Sequence, residues 1–370
     1  MLTRDQLIDL YRTHQQNRVL SVYVNADQHD PAQRDAWRIR LKGGMAQAQD
    51  ALDGAPHDEP KAFDAAQQRI RAALDADTAS SFLPGRGWVG FATADALIHT
   101  DRIDVPMPDL VRWERGLRIA PYVRALKQTR PVLLVVLDRR KAAVYRYQEG
   151  ELTDVDQLHA DTFVGDLTDI GTAKRATNRS GIRGKTGTDA AQSVLDTGAR
   201  RLVQRLIDEL EIHDGQTSLV VGGTREQMSA LRGALPADLQ DRLAEDPSLN
   251  FDMGRAELAQ RVESAASELS SQRLGALLDD IAEKAGAQGD GCLGREATEK
   301  ALRERRVRTL AVSVGLQERD PDLADRLIGT AFGANGADAH LLPRAVGERL
   351  DRIGDGVGAL LHYHVEAGSG

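Results

Sequence analysis

PVLLVVLDRRKAAVYRYQEGELTDVDQ, residues 131–157, decides how this chain folds. A proline opens it, and six aliphatic residues follow without a polar break. A run of that kind fits a strand covered on both faces, as at the centre of an α/β sheet. KAAVYRYQ and ELTDVDQ continue as two more strands, with Glu149-Gly150 as the turn of a hairpin. A polar, glycine-rich loop then runs over 165–187. A helix follows, with Leu195, Leu202, Leu206 and Leu210 on one face. TSLVVGG, residues 217–223, reads as another buried strand, and a helix opens at Thr224. The order predicts an α/β unit over 130–250.

The same reading extends to both sides. Thr3 followed by Leu7, Leu10 and Tyr11 predicts a capped helix. VLSVYVN (19–25) reads as a strand, 31–54 and 60–77 as helices, and GWVGFAT (87–93) with ALIHTDRI (96–103) as a strand pair. This first unit ends near Thr129. Towards the C-terminus, 254–286 and GREATEKALRERRV (294–307) read as helices. RTLAVSV (308–314) is a buried strand, and ADAHLLP (337–343) and VGALLHYHV (357–365) are the last strand candidates. The predicted class is mixed α/β: three consecutive α/β domains over 1–129, 130–250 and 251–370.

Composition bounds the function. Of 370 residues, 41% are hydrophobic and 28% charged, a globular balance. Aromatics are only 4%, so the cores must rest on Leu, Val, Ile and Ala. A net charge of −8 excludes indiscriminate coating of nucleic acid, so any RNA contact must come from local basic patches. The single cysteine, Cys292, excludes an intramolecular disulfide and a cysteine-based zinc cluster. No apolar run approaches the roughly 20 residues that span a bilayer, and MLTRDQLIDLYRTHQ is not a signal peptide. A cytoplasmic protein without a membrane partner or a cofactor is expected.

One stretch concentrates positive charge. Between Asp169 and Asp189 lie Lys174, Arg175, Arg179, Arg183 and Lys185, with no acid among them. Glycines at 171, 181, 184 and 187 let backbone approach phosphate, and arginine binds phosphate bidentately. Lys174, Arg175, Arg179, Arg183, Gly184, Lys185 and Thr186 are therefore the candidate RNA-binding residues. The plainer alternative is a solvated loop with incidental charge. GIRGKTG is not a nucleotide-binding loop: Arg179 stands where a P-loop needs glycine, and no apolar strand precedes it.

Other signals have bland readings. VVGGT (220–224) fits packing and helix capping better than a phosphate cradle. His362 and His364 share one side of a strand but lack a third ligand, so no metal is expected. Gln192 falls in the helix and reads as structural. Arg303, Arg305, Arg306 and Arg308 face only Glu304. They suit a solvated helix end, where cations favour the dipole, or an RNA-contacting face.

Several of these stretches resemble, in the same order, the archaeal and eukaryotic class-1 release factor and Pelota family. CLGREATEKALRERRVRTLAVSV (292–314) is similar to the segment in which a short helix leads through a turn into a buried strand. DGVGALLHYHVE (355–366) resembles the glycine-rich end of the same domain. PVLLVVLDRRKAAVYRYQEGELTDV, a loop, a long helix and LVVGG match the order of the middle domain. VLSVYVNADQ with GWVGFAT resembles the opening strands of the first. The resemblance implies a decoding-centre-type first domain, a middle domain that presents its loop to the peptidyl-transferase centre, and a ribosomal-protein-like C-terminal domain. It also implies the ribosome as partner, through rRNA at the A site, together with a translational GTPase of the elongation-factor type.

The departures narrow the function. Release chemistry in that family uses Gly-Gly-Gln, whose glycines carry the loop tip to the ester and whose glutamine helps place water. This chain has no Gly-Gly-Gln; SGIRGKTGTDAAQ (180–192) stands at the matching place. The Asn-Ile-Lys-Ser and Tyr/Cys/Phe stop-codon motifs are also missing. The resemblance thus implies occupancy of the A site of idle or stalled ribosomes, as in Pelota-type factors and Balon-type hibernation factors, with no catalytic residue and no codon reading. Two alternatives stay open: a peptidyl-tRNA hydrolase with a non-standard loop, and a non-ribosomal interaction protein on the same fold.

Overall fold

The computed structural model describes residues 1–27, 36–78, 83, 85–138, 141–148, 150–159, 202–208, 217–286 and 289–362. Its first elements are α1 (Arg4–His14), β1 (Arg18–Asn25), α2 (Ala36–Asp50) and α3 (Asp58–Asp77). β2 (Gly87–Ala92), β3 (Leu97–Ile103), β4 (Leu110–Arg115) and α4 (Ala120–Gln128) follow. Thr3 caps α1 in a reciprocal box with Gln6. The sheet has the order β3-β2-β1-β4 and is antiparallel throughout. β1 is apolar along its length because both faces are covered. Val19 and Tyr23 join one core, while Leu20, Val22 and Val24 pack with Trp37, Phe63, Ile70 and Trp88 in another.

The middle stretch contains β5 (Val132–Leu137), β6 (Lys141–Gln148), β7 (Glu151–His159), the helical residues 202–208 (α5) and β8 (Ser218–Gly222). α6 (Arg225–Ala234), α7 (Ala237–Gln240), β9 (Leu243–Glu245) and the long α8 (Arg255–Gly286) complete it. The sheet order is β7-β6-β5-β8-β9. The aliphatic run of β5 has its reason here. Leu133, Val135 and Leu137 pack with Leu202 and Leu206 of α5 and Met228 and Leu231 of α6. Leu134 and Val136 face the opposite way, onto Leu258 and Val262 of α8. A strand covered by helices on both sides has no polar face to show.

The last stretch holds β10 (Gly291–Leu293), α9 (Arg295–Arg303), β11 (Val307–Ser313), α10 (Val314–Arg319) and α11 (Pro321–Gly329). A π-helical turn (Thr330–Ala334), β12 (Asp338–Leu342), α12 (Arg344–Gly354) and β13 (Val357–Leu361) follow. Its sheet order is β10-β13-β11-β12, with β11 and β12 parallel and β13 antiparallel to both its neighbours. The chain is mixed α/β, with one sheet in each third.

The chain forms two compact units: Met1–Thr129 with Leu274–Gly370, and Arg130–Arg273. α8 contributes residues to both. The first unit has one core built from both ends of the chain: Leu7, Ile119 and Tyr122 pack with Leu310, Leu327, Phe332 and Val357. Ion pairs bridge the same two segments. Arg124 meets Asp325 at 2.8 Å and Lys127 meets Asp338 at 2.6 Å.

Candidate functional site

The middle sheet places several chain ends together. β5 and β8 are parallel, with Val136 opposite Gly222. β6 runs antiparallel between β5 and β7, pairing Leu137 with Ala142 and Lys141 with His159. β7 therefore leaves the sheet at the same end as the C-terminal ends of β5 and β8. In open α/β sheets that end is where ligand sites are built. The basic stretch comes after β7 in the sequence, its first cation, Lys174, 15 residues beyond His159.

The elements on either side of that stretch are tied together. Leu202 and Leu206 of α5 are fully buried against the sheet. The Arg205 guanidinium meets the Asp156 carboxylate of β7 at 3.2 Å. On the far side, Arg255 of α8 pairs with Asp154 of β7. Lys141, at the working end of β6, lies 3.9 Å from the Phe251 ring centroid, a cation–π contact.

The glycines of VVGGT serve packing, as the sequence reading favoured. A Cβ on Gly222 would stand 2.3 Å from Leu249, and one on Gly223, at φ +143°, 2.8 Å from Leu137. Thr224 and Gln227 form a reciprocal capping box at the start of α6. That helix end satisfies itself and makes no phosphate cradle.

Lys174, Arg175, Arg179, Arg183, Gly184, Lys185 and Thr186 lie outside the described residues, as do Gln192 and His364. His362 is described and exposed; its backbone N–H donates to the Arg306 carbonyl at 2.8 Å. Cys292 is half-buried, its sulfur 3.7 Å from the Thr298 hydroxyl, and burial pushes its thiol pKa up, away from the reactive thiolate. Among the described residues no group of His, Cys, Asp and Glu is placed to hold a metal ion. No helix among them is long and apolar enough to cross a membrane.

The sequence reading missed one groove. About 460 Å³ in volume, it lies beside β9 and is lined by Arg232, Glu245, Asp246, Arg261, Glu268 and Gln272 among others. The Arg232–Glu245 pair, at 2.9 Å, neutralises part of its charge. Its three-residue strand offered too short a pattern to detect.

The family model for bacterial archaeo-eukaryotic release factor family 10 matches residues 118–268. That segment contains the whole five-stranded sheet and the basic stretch that follows β7. Residues 118–268 of this chain thus resemble the bacterial proteins related to archaeal and eukaryotic release factors. Among curated proteins, none matches. Solved structures that it resembles include Archaeoglobus fulgidus Pelota, at 13% identity over 76% of this chain and 80% of that one, TM-score 0.34. Another is S. cerevisiae Dom34, described as a translation termination-like factor in RNA quality control that interacts with Hbs1. It is 12% identical over 67% of each chain, TM-score 0.42. A third is archaeal Pelota from a model of ribosome-bound Pelota and ABCE1, at 13% identity over 98% of this chain and 95% of that one, TM-score 0.42. These structural likenesses assign no residue roles to this chain.

Proposed function

We propose that this chain is a ribosome-associated translation factor of the cytoplasm. It occupies the A site of idle or stalled ribosomes, in hibernation or rescue, without reading stop codons. One observation carries the reading: the family-model match spans the middle sheet together with the basic stretch. Five cations without an acid, in a chain of net charge −8, suit rRNA phosphates. Residues 165–187 point towards the peptidyl-transferase centre. Residues 1–129 lie near the decoding centre, and 251–370 receive a translational GTPase of the elongation-factor type. The lack of Gly-Gly-Gln supports occupancy without hydrolysis.

Sedimentation of the protein with ribosomes from growing and from starved cells tests this. Co-migration with ribosomes, enriched in the starved sample, is the expected result; absence from the ribosomal fractions in both overturns it. A second arm adds the protein to ribosomes that carry a defined peptidyl-tRNA. Background release is expected. Turnover that disappears with Gln192→Ala transfers the assignment to a hydrolase.

A further inference from the structure

The turn between α9 and β11 gathers four cations without ion-pair partners among the described residues. Lys300, Arg303, Arg305 and Arg308 are all exposed, and none makes an ion pair with a described residue. Two of the three acids of this segment are already engaged, and the third, Glu296, lies a full helical turn before Lys300. Glu299 takes Arg295 at 2.9 Å, and Glu304 takes Arg306 at 2.7 Å. Elsewhere in the same segment three arginines are paired: Arg319 with Asp351, Arg344 with Glu318 and Arg349 with Asp279. The surplus at this turn stands against a chain of net charge −8.

The helix dipole accounts for only part of it. Lys300 and Arg303 lie in the last turn of α9, where cations are favoured. Arg305 and Arg308 lie beyond the helix. Arg305 closes it at φ +55°, a left-handed position that glycine occupies with less strain. Arg308 falls within an irregularity of the β11–β13 ladder, where the register shifts between Val307 and Thr309. Such a bulge redirects a side chain. Both sites place a guanidinium where the backbone departs from regular geometry.

We propose that this turn is an RNA-contacting surface, separate from the basic stretch after β7, that grips the phosphate backbone through Arg303, Arg305 and Arg308. The chemistry favours RNA over an acidic protein. Protein interfaces bury an apolar core within a polar rim. Among the described residues the exposed large hydrophobic side chains are Met1, Ile39, Leu97 and Ile353, and none belongs to the turn. A cationic turn without an apolar centre, carried by forked guanidinium groups, matches phosphate. It goes beyond the ribosomal reading because free RNA suffices to reveal it.

The test uses the full chain with Arg179→Ala, Arg183→Ala and Lys185→Ala already in place, which removes three of the five cations of the other basic stretch. Its affinity for a short mixed-sequence RNA hairpin is measured across a salt series. Arg303→Gln, Arg305→Gly and Arg308→Gln are then added. Affinity is expected to fall about tenfold at low salt, and the log–log salt slope to shrink by about 2 to 3 as phosphate contacts are lost. Arg305→Gly alone relaxes the backbone, so its unchanged or raised Tm separates lost binding from lost folding. Unaltered affinity and slope overturn the proposal, and so does a parent chain that fails to bind the hairpin at low salt. Polyglutamate bound as well as RNA, and lost with the same substitutions, reassigns the turn to an acidic protein. If RNA binding persists while the protein fails to sediment with ribosomes, the ribosomal reading falls and this one stands.

Discussion

The Arg118 guanidinium, only 4% exposed, reaches Asp322 twice, donating to its backbone carbonyl at 3.1 Å and pairing with its carboxylate at 3.4 Å. Glu114 holds the same guanidinium at 2.8 Å, and the Arg118 backbone carbonyl accepts from the buried Tyr23 hydroxyl. The Arg118 side chain thus ties β4 to α11, while its backbone carbonyl holds Tyr23 of β1.

Arg118→Ala should therefore be severe. It leaves Glu114 and the Asp322 carbonyl without their donor, and loss of one partner of a buried pair costs about 3–5 kcal/mol. Asp322→Ala should cost far less, because that carboxylate is half-exposed and Glu114 still serves the arginine. Urea unfolding of both variants checks the asymmetry; equal losses contradict it.

Asp338 predicts acid sensitivity. Burial alone would raise its carboxyl. The His340 hydrogen bond and the Lys127 charge outweigh burial and hold it well below the usual carboxylate range. A carboxyl depressed on folding stabilises fully above its unfolded value, near 3.9. That contribution is lost as the pH falls below this value towards the folded one. The Tm of the wild type should thus drop more steeply below about pH 4 than that of Asp338→Asn, which should already be lower at neutral pH. Parallel curves rule out the linkage.

Truncation before Asp355 removes β13, which pairs with both β10 and β11 and buries Val357, Leu360 and Leu361. At roughly 1.5–3 kcal/mol per buried aliphatic side chain, the unit built from both chain ends should lose cooperative unfolding. Residues 130–273 should keep their own transition. Removing only 366–370 should leave both transitions in place. Calorimetry of the two truncations distinguishes these outcomes.

For the basic stretch, Arg179→Ala, Arg183→Ala and Lys185→Ala together should weaken ribosome association, increasingly so at higher salt, with far-UV circular dichroism unchanged. An unaltered salt slope removes the stretch from the ribosomal interface.

The sequence was most readable where local pattern and burial agree. The aliphatic run after Pro131 announced a strand covered on both faces, and Thr3 ahead of Leu7, Leu10 and Tyr11 announced a helix start. Gly356, within the glycine-rich stretch that the resemblance singled out, has φ +84° beside Leu316 and Asp351. The sequence reading passed over β4. Its LVRWER mixes charge with apolar side chains, as suits an edge strand. The reading also passed over α11, although Asp320-Pro321 carries a cap-and-proline start signal. The shared core was not readable at all. Arg124 and Asp325 are 201 residues apart, and no periodicity records such a partnership. The charge of the basic stretch was legible as composition, and its exit at the strand-end of the sheet only from strand register.

The core built from both chain ends sets a timetable for synthesis. When Leu7, Ile119 and Tyr122 leave the ribosome, Leu310, Leu327 and Phe332 have not been made. At ~5–20 residues per second, translating the intervening residues 130–273 takes on the order of ten to thirty seconds. Through that interval the nascent N-terminal segment carries an uncovered apolar face, while residues 130–273 can already close their own sheet once they emerge. The middle unit can thus close its sheet before residues 1–129 receive the C-terminal half of their core.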